Sequence, residues 1–187
     1  MHPSLFFLSR FFRHPRSIAS IVPTSRYALR RVCEKIREGA SVIVEYGPGT
    51  GDLARHILAS GKLAPHGKLI LIEQNPEFAS HLLSTFSDPR VRVFCSGADR
   101  VREILGECGE ETADHVLSSI PLSLITPAER RRILSSTASI LRIHGSFIVF
   151  LYRRRVLLWL KEFFPVVTID RELWNLPPIA IFEARKK

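Results

Sequence analysis

The 187-residue sequence has little of the chemistry that marks secreted, metal-binding or membrane-spanning proteins. Its three cysteines are odd in number and form no CxxC pair, so neither a disulfide framework nor a zinc site is predicted. The apolar runs, such as residues 147–152, are far shorter than the roughly 20 residues of a membrane-spanning helix. Arg10, Arg13 and Arg16 interrupt the N-terminal apolar stretch, which does not resemble a signal peptide. We therefore expect a cytoplasmic protein.

Acidic residues are scarce at the beginning of the chain. Residues 1–37 contain eight arginine and lysine side chains but one acid, Glu34, so this segment carries seven of the nine net positive charges. Such a concentration favours contact with phosphates, on lipid headgroups or on nucleic acid. A solvated face that only aids solubility is the alternative. The arginines predicted to contact anions or a membrane surface are Arg10, Arg13, Arg16 and Arg26.

Residues 1–14 predict an amphipathic helix. At about 100° per residue, leucine and phenylalanine side chains share one arc, and the arginines share the other. This composition is typical of a helix that lies in a membrane interface, although a terminal helix packed on the core has a similar apolar face. Pro15 ends the segment.

Beyond residue 40, short apolar runs alternate with helix-length segments. The predicted strands are 42–46, 68–73, 91–95, 115–119, 146–152, 166–170 and 179–184. The predicted helices are 51–60, 76–86, 99–107, 127–142 and 153–164. This alternation indicates an α/β protein with a parallel sheet covered by helices. The length fits a single domain.

The glycine-rich stretch 47–51 follows a predicted strand and precedes a predicted helix. This order places backbone N–H groups at the carboxyl end of the sheet, where such folds bind ligands. No Gly-Lys-Ser/Thr follows, so the loop is not a Walker A loop, and its third glycine comes one residue too early for the dinucleotide motif. Glu45 would repel a pyrophosphate but suits a ligand with a cationic amino-acid part. Gly47, Gly49 and Gly51 are predicted to contact this ligand.

Two further strand ends carry candidate contacts. Glu73 lies 22 residues beyond Gly51, close to the roughly 20-residue offset of the acid that binds ribose hydroxyls in nucleotide-binding folds. An ordinary exposed acid is the alternative. After the third strand, Asp99 either accepts a hydrogen bond from an adenine amino group or caps the following helix.

The segments VEYGPGTG (44–51), LIEQN (71–75) and SGAD (96–99) resemble the first three motifs of class I S-adenosylmethionine-dependent methyltransferases. The resemblance implies a Rossmann-like fold with a seven-stranded, mostly parallel sheet, an antiparallel last strand and helices on both faces. Residues 39–187 would form this core, after a basic helical segment at 1–38. The cofactor would be S-adenosylmethionine, held by Glu45, Gly47, Gly49, Gly51, Glu73, Gln74, Ala98, Asp99 and Ser119.

Three other segments, 17–32, 116–123 and 173–185, are similar to bacterial phospholipid N-methyltransferases of the type related to rRNA adenine dimethylases. This resemblance implies N-methylation of a phospholipid amine such as phosphatidylethanolamine, by an enzyme bound peripherally to the inner face of the membrane. It also implies that Arg26 and Tyr27, in PTSRY, close over the cofactor or touch a lipid phosphate. A turn that starts a helix is the alternative for these two residues.

The loop after the fourth strand bears on the acceptor. Enzymes that methylate the adenine amino group resemble Asn/Asp-Pro-Pro-Tyr/Phe here, whereas this chain has Ser119-Ile120-Pro121-Leu122. It lacks the amide or acid, and it lacks a ring that would stack on a base with about 1–3 kcal/mol. An rRNA or DNA adenine methyltransferase is therefore a disfavoured alternative. A non-catalytic membrane- or RNA-binding protein with a retained cofactor fold is a second one.

Candidate catalytic groups are the backbone carbonyls around Ser119 and Ile120, which would orient the amine, together with Tyr27. His115 and His144 are candidate bases, but one lies within a predicted strand and the other just before one. A structural role is favoured for both.

Overall fold

The computed structural model describes residues 25–151, 156–172 and 179–186. Their seven strands form one sheet in the order β3-β2-β1-β4-β5-β7-β6. The strands are β1 Ala40–Tyr46, β2 Leu63–Glu73, β3 Val91–Cys95, β4 Ala113–Ser118, β5 Leu141–Leu151, β6 Val166–Glu172 and β7 Ile179–Arg185. Strands β1 to β5 pair in parallel, and β7 is antiparallel to both of its neighbours, β5 and β6. The predicted sheet, with its antiparallel last strand, is confirmed.

Helices cover both faces of this sheet, as predicted. They are α1 Arg26–Glu34, α2 Asp52–Ala59, α3 Pro76–Thr85, α4 Val101–Glu107, α5 Pro127–Ile140 and α6 Val156–Lys161, with a 3-10 turn at Ala98–Arg100 before α4. Helices α1, α2 and α3 bury their apolar side chains in one cluster with one face of the sheet. Helices α4, α5 and α6 do so on the opposite face.

Strand β1 is apolar on both sides because it lies between two layers of helices. Val42, Val44 and Tyr46 belong to the cluster under α4, α5 and α6. Ile43 belongs to the cluster under α1, α2 and α3. Glu45 is the one charged residue in this strand and is 2% exposed.

Capping residues begin two of the helices near the carboxyl ends of the strands. Asn75 accepts a hydrogen bond from the Glu77 N–H at 2.9 Å, and a proline follows it at the first turn of α3. Thr126 accepts from the Glu129 N–H at 3.2 Å at the start of α5. These caps satisfy backbone donors of the first turn and fix where each loop ends.

Two strands begin five residues earlier than predicted, and β1 and β4 begin two residues earlier. Strand β2 starts at Leu63 instead of residue 68, and β5 starts at Leu141 instead of residue 146, so α5 ends at Ile140. The segments 65–67 and 143–145 contain turn-like residues but lie within the strands as irregularities, where the pairing registers of β1 with β2 and of β4 with β5 shift. His144 has a left-handed φ of 65° at one of them. Sheet pairing overrides the local turn preference here.

Part of the predicted basic N-terminal segment is core. Helix α1 buries Ala28, Leu29, Val32 and Cys33. Residues 1–24, with the predicted amphipathic helix and with Arg10, Arg13 and Arg16, lie outside the described residues. The same holds for residues 152–155, at the start of the predicted helix 153–164, and for residues 173–178.

A polar network holds the amino ends of the central strands. Asp114 is 1% exposed, accepts from the Ser41 and Val42 N–H groups and pairs with Arg37 and Arg142. These four partners satisfy the buried carboxylate, and the pKa of Asp114 is lowered although burial opposes this.

His115, one of the two candidate bases, lies in this network. Its Nε2 accepts from the Arg37 N–H at 3.1 Å, and its Nδ1 lies 2.8 Å from the Ser146 Oγ. Burial lowers its pKa to about 4. His115 is therefore a neutral structural residue at the end of the sheet opposite the glycine loop.

Candidate active site

The predicted motifs meet at the carboxyl ends of β1, β2, β3 and β4. Tyr46, the last residue of β1, is paired with Ile72 of β2 and Ser118 of β4. Glu73, the last residue of β2, is paired with Cys95 of β3. The glycine loop, Glu73, the turn after β3 and the loop after β4 therefore lie at one edge of the sheet, where open α/β folds bind ligands.

The glycine loop is held against its neighbours by backbone contacts. Gly47, Gly49 and Gly51 have φ values of 66°, 56° and 79°, which non-glycine residues adopt only with strain. The Gly47 N–H donates to the Ile72 carbonyl at 2.9 Å. A Cβ at Gly47 would lie 3.2 Å from the Ile120 Cγ1, so glycine also permits the close approach of the loop after β4.

Glu73 holds the glycine loop through a hydrogen bond. Its Oε2 accepts from the Gly49 N–H at 3.1 Å, and its Oε1 accepts from the Asn75 N–H at 2.9 Å. Glu73 is 8% exposed, and burial raises the pKa of its carboxyl even though these backbone donors act in the opposite direction. The alternative of an ordinary exposed acid is wrong. A carboxylate has about four lone-pair sites, so these backbone donors leave acceptor capacity for a ligand donor. Gln74 beside it is exposed.

Glu45 is a buried carboxyl with an unpaired oxygen. In the described part of the chain, its Oε2 has no hydrogen-bond partner. Burial, together with the charges of Glu73 and Asp52, raises its pKa from 4.5 to about 8. An unpaired buried acid is unfavourable, and a cation placed beside it would relieve the penalty.

The loop after β4 packs on the glycine loop. The Ser119 Oγ donates to the Gly47 carbonyl at 2.8 Å, and the Ile120 N–H donates to the Ser118 Oγ at 3.2 Å. The Leu122 N–H returns to the Ile120 carbonyl at 2.8 Å. Leu122 stands where adenine methyltransferases have a stacking ring, and it is buried in the core.

The turn after β3 begins with Ala98, which is 6% exposed. The Asp99 Oδ2 lies 3.5 Å from the Arg132 Nε, and the N-cap positions of the 3-10 turn and of α4 are Gly97 and Arg100, not Asp99. The structure therefore does not support the helix-capping alternative for Asp99. Its contact with adenine stays a prediction.

Tyr27 and Arg26 lie at the first turn of α1. Ser25 caps this helix by accepting from the Ala28 N–H at 3.2 Å, so the segment does start a helix. Tyr27 is 49% exposed, with the Arg26 guanidinium 5.2 Å from its ring centroid. The recorded polar contacts of Ser119 do not involve Tyr27. A role for Tyr27 in catalysis stays a prediction.

The contact of Arg130 with the loop after β4 was not predicted from the sequence. The Arg130 Nη1 donates to the Leu122 carbonyl at 3.1 Å, and its guanidinium lies 3.7 Å from the centroid of the Trp159 ring. In the sequence, Arg130 belongs to a run of three arginines, which is typical of a solvated helix face. No local sequence pattern distinguishes Arg130, which contacts the loop after β4, from Arg131 and Arg132.

Within residues 25–151, 156–172 and 179–186, no group of three or more His, Cys, Asp or Glu side chains could hold a metal ion. The helices of these ranges include none that is long and apolar enough to cross a membrane.

The fold and the glycine-loop edge define an S-adenosylmethionine-dependent methyltransferase of class I. Solved methyltransferases share the fold at 17% identity. The precorrin-6y C5,15-methyltransferase of Geobacter metallireducens has a TM-score of 0.66, with 90% of this chain and 93% of that chain covered. The 1,6-didemethyltoxoflavin-N1-methyltransferase of Burkholderia thailandensis, solved with S-adenosylhomocysteine, has a TM-score of 0.65, with 98% and 87% covered.

No family model matches the sequence. A curated relative, the ornithine lipid N-methyltransferase of Singulisphaera acidiphila, is 30% identical over 192 residues, which cover 99% of this chain and 97% of the relative. The chain belongs to the family of this lipid N-methyltransferase.

The residues at the sheet edge fit S-adenosylmethionine. Glu45 offers an unpaired buried oxygen to a cationic amino-acid part. A Cβ at Gly49 would have no described atom within 4 Å, so this glycine borders open space. Glu73 retains lone pairs for hydroxyl donors.

Proposed function

We propose that this protein transfers the methyl group of S-adenosylmethionine to the amine of a membrane lipid. The observation that carries the proposal is the likeness, over 99% of the chain, to a protein that is an N-methyltransferase of ornithine lipid. The likeness includes the loop after β4, which is the part of the site that would face the acceptor.

The loop after β4 supports a lipid amine over an adenine. It has Ser119 where adenine methyltransferases have an amide or acid, and its Leu122 is buried in the core and unable to stack on a base. A primary amine needs less recognition than a base does, because it is small and requires only hydrogen-bond acceptors. The Ser119 carbonyl and the second lone pair of the Ile120 carbonyl would supply them.

The residues proposed to hold the donor follow from the site. Glu45 would pair with its ammonium group, Glu73 would accept from its ribose hydroxyls, and Gly49 would border it closely. Ala98 and Asp99 would contact the adenine. When bound, S-adenosylmethionine supplies an electrophilic methyl group on a sulfonium. The chain itself then has to align the acceptor nitrogen, which is the main task of the loop after β4.

The acceptor amine must lose a proton, because an alkyl ammonium has a pKa of about 10. His115 and His144 lie at the amino ends of the strands, away from the glycine loop. We propose that water accepts the proton, so that the rate rises with pH as more of the amine becomes neutral.

Two acceptors are compatible with this chemistry. Phosphatidylethanolamine is the one implied by the segments that resemble phospholipid N-methyltransferases, and ornithine lipid is the one in the name of the relative. Both present a primary amine at a membrane surface. The protein would reach them by peripheral binding through its basic N-terminal segment, whose net charge is positive.

Transfer of a radiolabelled methyl group tests the proposal. Vesicles of phosphatidylglycerol would contain phosphatidylethanolamine, ornithine lipid or neither, and a parallel reaction would contain total RNA without vesicles. Label in either amine lipid supports the proposal and identifies the acceptor. Label in RNA with unlabelled lipids would overturn it in favour of an adenine methyltransferase. Absence of S-adenosylhomocysteine binding in calorimetry would overturn it in favour of a non-catalytic protein.

A further inference from the structure

We propose that Arg130 is a positioning residue that holds the loop after β4 in the place where it orients the acceptor amine. The inference rests on the proposed function, because it assigns a purpose to that loop. It goes further by naming a residue outside the glycine loop and outside the loop itself.

Arg130 is held from two directions. It lies one turn into α5 and is half-buried. Its Nη1 donates to the Leu122 carbonyl at 3.1 Å, while its guanidinium plane lies over the Trp159 ring of α6 at 3.7 Å from the centroid. Contact with an aromatic face fixes a guanidinium that still has several donors to offer. Packing against Trp159 therefore fixes the position of the Arg130 N–H groups.

Side-chain hydrogen bonds anchor the loop at both ends, in addition to the Ser119 N–H bond to the Tyr46 carbonyl at 3.4 Å and the burial of Leu122. At its start, the Ser119 Oγ donates to the Gly47 carbonyl at 2.8 Å. At its end, the Leu122 carbonyl accepts from Arg130 at 3.1 Å. The carbonyls of Ser119 and Ile120, which would orient the amine, lie between these anchors. Loss of the second anchor would let them shift, and a displacement of about 1 Å reduces a rate by about 100-fold.

The two neighbouring arginines contact other residues. Arg131 lies 3.5 Å from Glu162 and 5.5 Å from the centroid of the Phe163 ring, so it connects α5 with the end of α6. Arg132 lies 3.5 Å from Asp99. Neither has a recorded contact with residues 119–122 in the described part of the chain. Arg131→Gln is thus a matched control for Arg130→Gln: it removes the same charge and an aromatic contact without touching the loop.

The test compares Arg130→Gln, Arg130→Lys and Arg131→Gln in the full-length protein. The measurements are kcat and KM for the amine lipid in vesicles, the affinity for S-adenosylhomocysteine and the melting temperature. We expect Arg130→Gln to lower kcat/KM for the lipid at least about 10-fold while the affinity for S-adenosylhomocysteine changes less than about twofold. Arg130→Lys, which keeps the charge but loses the planar fork, should fall between it and the wild type. Arg131→Gln should stay within about twofold of wild type.

Equal losses in Arg130→Gln and Arg131→Gln would overturn the proposal, since charge or helix packing would then explain both. An equal loss of donor affinity in Arg130→Gln would also overturn it.

Amide hydrogen exchange separates this proposal from the proposed function. If the wild type methylates no lipid, the proposed function fails, but exchange of the amides in 119–124 still reports whether Arg130 holds the loop. Faster exchange there in Arg130→Gln than in Arg131→Gln supports the anchor. Identical exchange in the two variants shows that the loop does not depend on Arg130 and overturns it.

Discussion

At the scale of single residues, Glu45 is the least expected feature of the core. It occupies a buried position of β1 where the neighbouring residues are apolar, and one of its oxygens has no hydrogen-bond partner among the described residues. A carboxyl that serves packing alone would be replaced by an apolar residue at a gain in stability. We propose that a ligand with a positive charge accounts for its presence.

The pH dependence of stability tests the burial of Glu45. Its pKa is about 8 in the folded protein and about 4.5 when unfolded, so the folded state prefers the protonated form. This contribution is fully present below pH 4.5 and is lost as the pH rises toward 8. Between pH 5.5 and 7.5, the wild type should lose about 2–3 kcal/mol of unfolding free energy that Glu45→Gln does not lose.

Urea denaturation of both proteins at the two pH values, without donor, measures this difference. Glu73, whose pKa is also raised, is present in both proteins, and its charge is one cause of the raised pKa of Glu45, so the difference between the two pH profiles includes this interaction. Parallel pH profiles of the wild type and Glu45→Gln would show that Glu45 is not a protonated buried acid.

Glu73 links the loop to the proposed ribose contact. In Glu73→Gln, an amide N–H₂ would face either the Gly49 N–H or the Asn75 N–H, and one acceptor oxygen would be lost. We expect the affinity for S-adenosylhomocysteine to fall about 10- to 100-fold, the range of one or two hydrogen bonds to a charged group. Calorimetry measures it, with Glu38→Gln, an exposed acid paired with Lys62, as the control. Unchanged affinity in Glu73→Gln would remove Glu73 from the donor site.

Sequence reasoning finds residues whose role depends on spacing. Glu45 and Glu73 were predicted from their positions relative to the glycines, and both lie at the sheet edge. The bond between Glu73 and Gly49 and the reach of Arg130 to Leu122 were not predicted. Both depend on how separate elements are packed, which no local pattern encodes.

At the scale of elements, two glycines of the glycine loop are expected to differ in their effects on stability and on ligand binding. Gly49 and Gly51 both have positive φ, so an alanine at either position is strained by about 1–2 kcal/mol. A Cβ at Gly51 would also lie 2.7 Å from the Phe86 ring and 2.9 Å from Leu82 Cδ2, whereas one at Gly49 meets open space.

We therefore predict opposite rankings for two properties. Gly51→Ala should lower the unfolding free energy by about 1 kcal/mol more than Gly49→Ala, because it also displaces packed apolar side chains. Gly49→Ala should lose more affinity for S-adenosylhomocysteine, because its methyl enters the space reserved for the donor. Thermal melting and calorimetry measure the two effects. The same ranking for both properties would indicate that the space beside Gly49 is not the donor site.

Element boundaries were predicted less well than element types. Every predicted strand exists, but β2 and β5 begin five residues early, at Leu63 and Leu141. The segments 65–67 and 143–145 each contain His-Gly, which predicts a turn on local grounds. Pairing with β1 and β4 on either side of these segments keeps them within the strands.

At the scale of the whole molecule, the alternation of apolar runs and helical segments predicts a parallel sheet, and the resemblance adds its antiparallel last strand. The parallel sheet was predictable because each of the first five apolar runs is too short for a helix and is followed by a helical segment. The antiparallel direction of β7 was implied by the resemblance alone, and its position between β5 and β6 was not predicted. Charge distribution adds what the fold does not: seven of the nine net positive charges lie in residues 1–37.

That asymmetry predicts that the N-terminal segment binds anionic membranes. Reversal of two charges by Arg10→Glu and Arg13→Glu removes two attractions of about 1 kcal/mol each and adds repulsion, so the affinity for phosphatidylglycerol vesicles should fall at least about 30-fold. Affinity for S-adenosylhomocysteine should not change, because these residues precede the glycine loop by more than thirty positions. Vesicle co-sedimentation and calorimetry measure the two affinities in the full-length protein.

The double variant Arg92→Glu and Arg102→Glu changes the net charge equally on β3 and α4 and serves as the control. If both double variants lose vesicle binding equally, total charge attracts the protein to the membrane; if neither loses it, Arg10 and Arg13 do not contact the membrane.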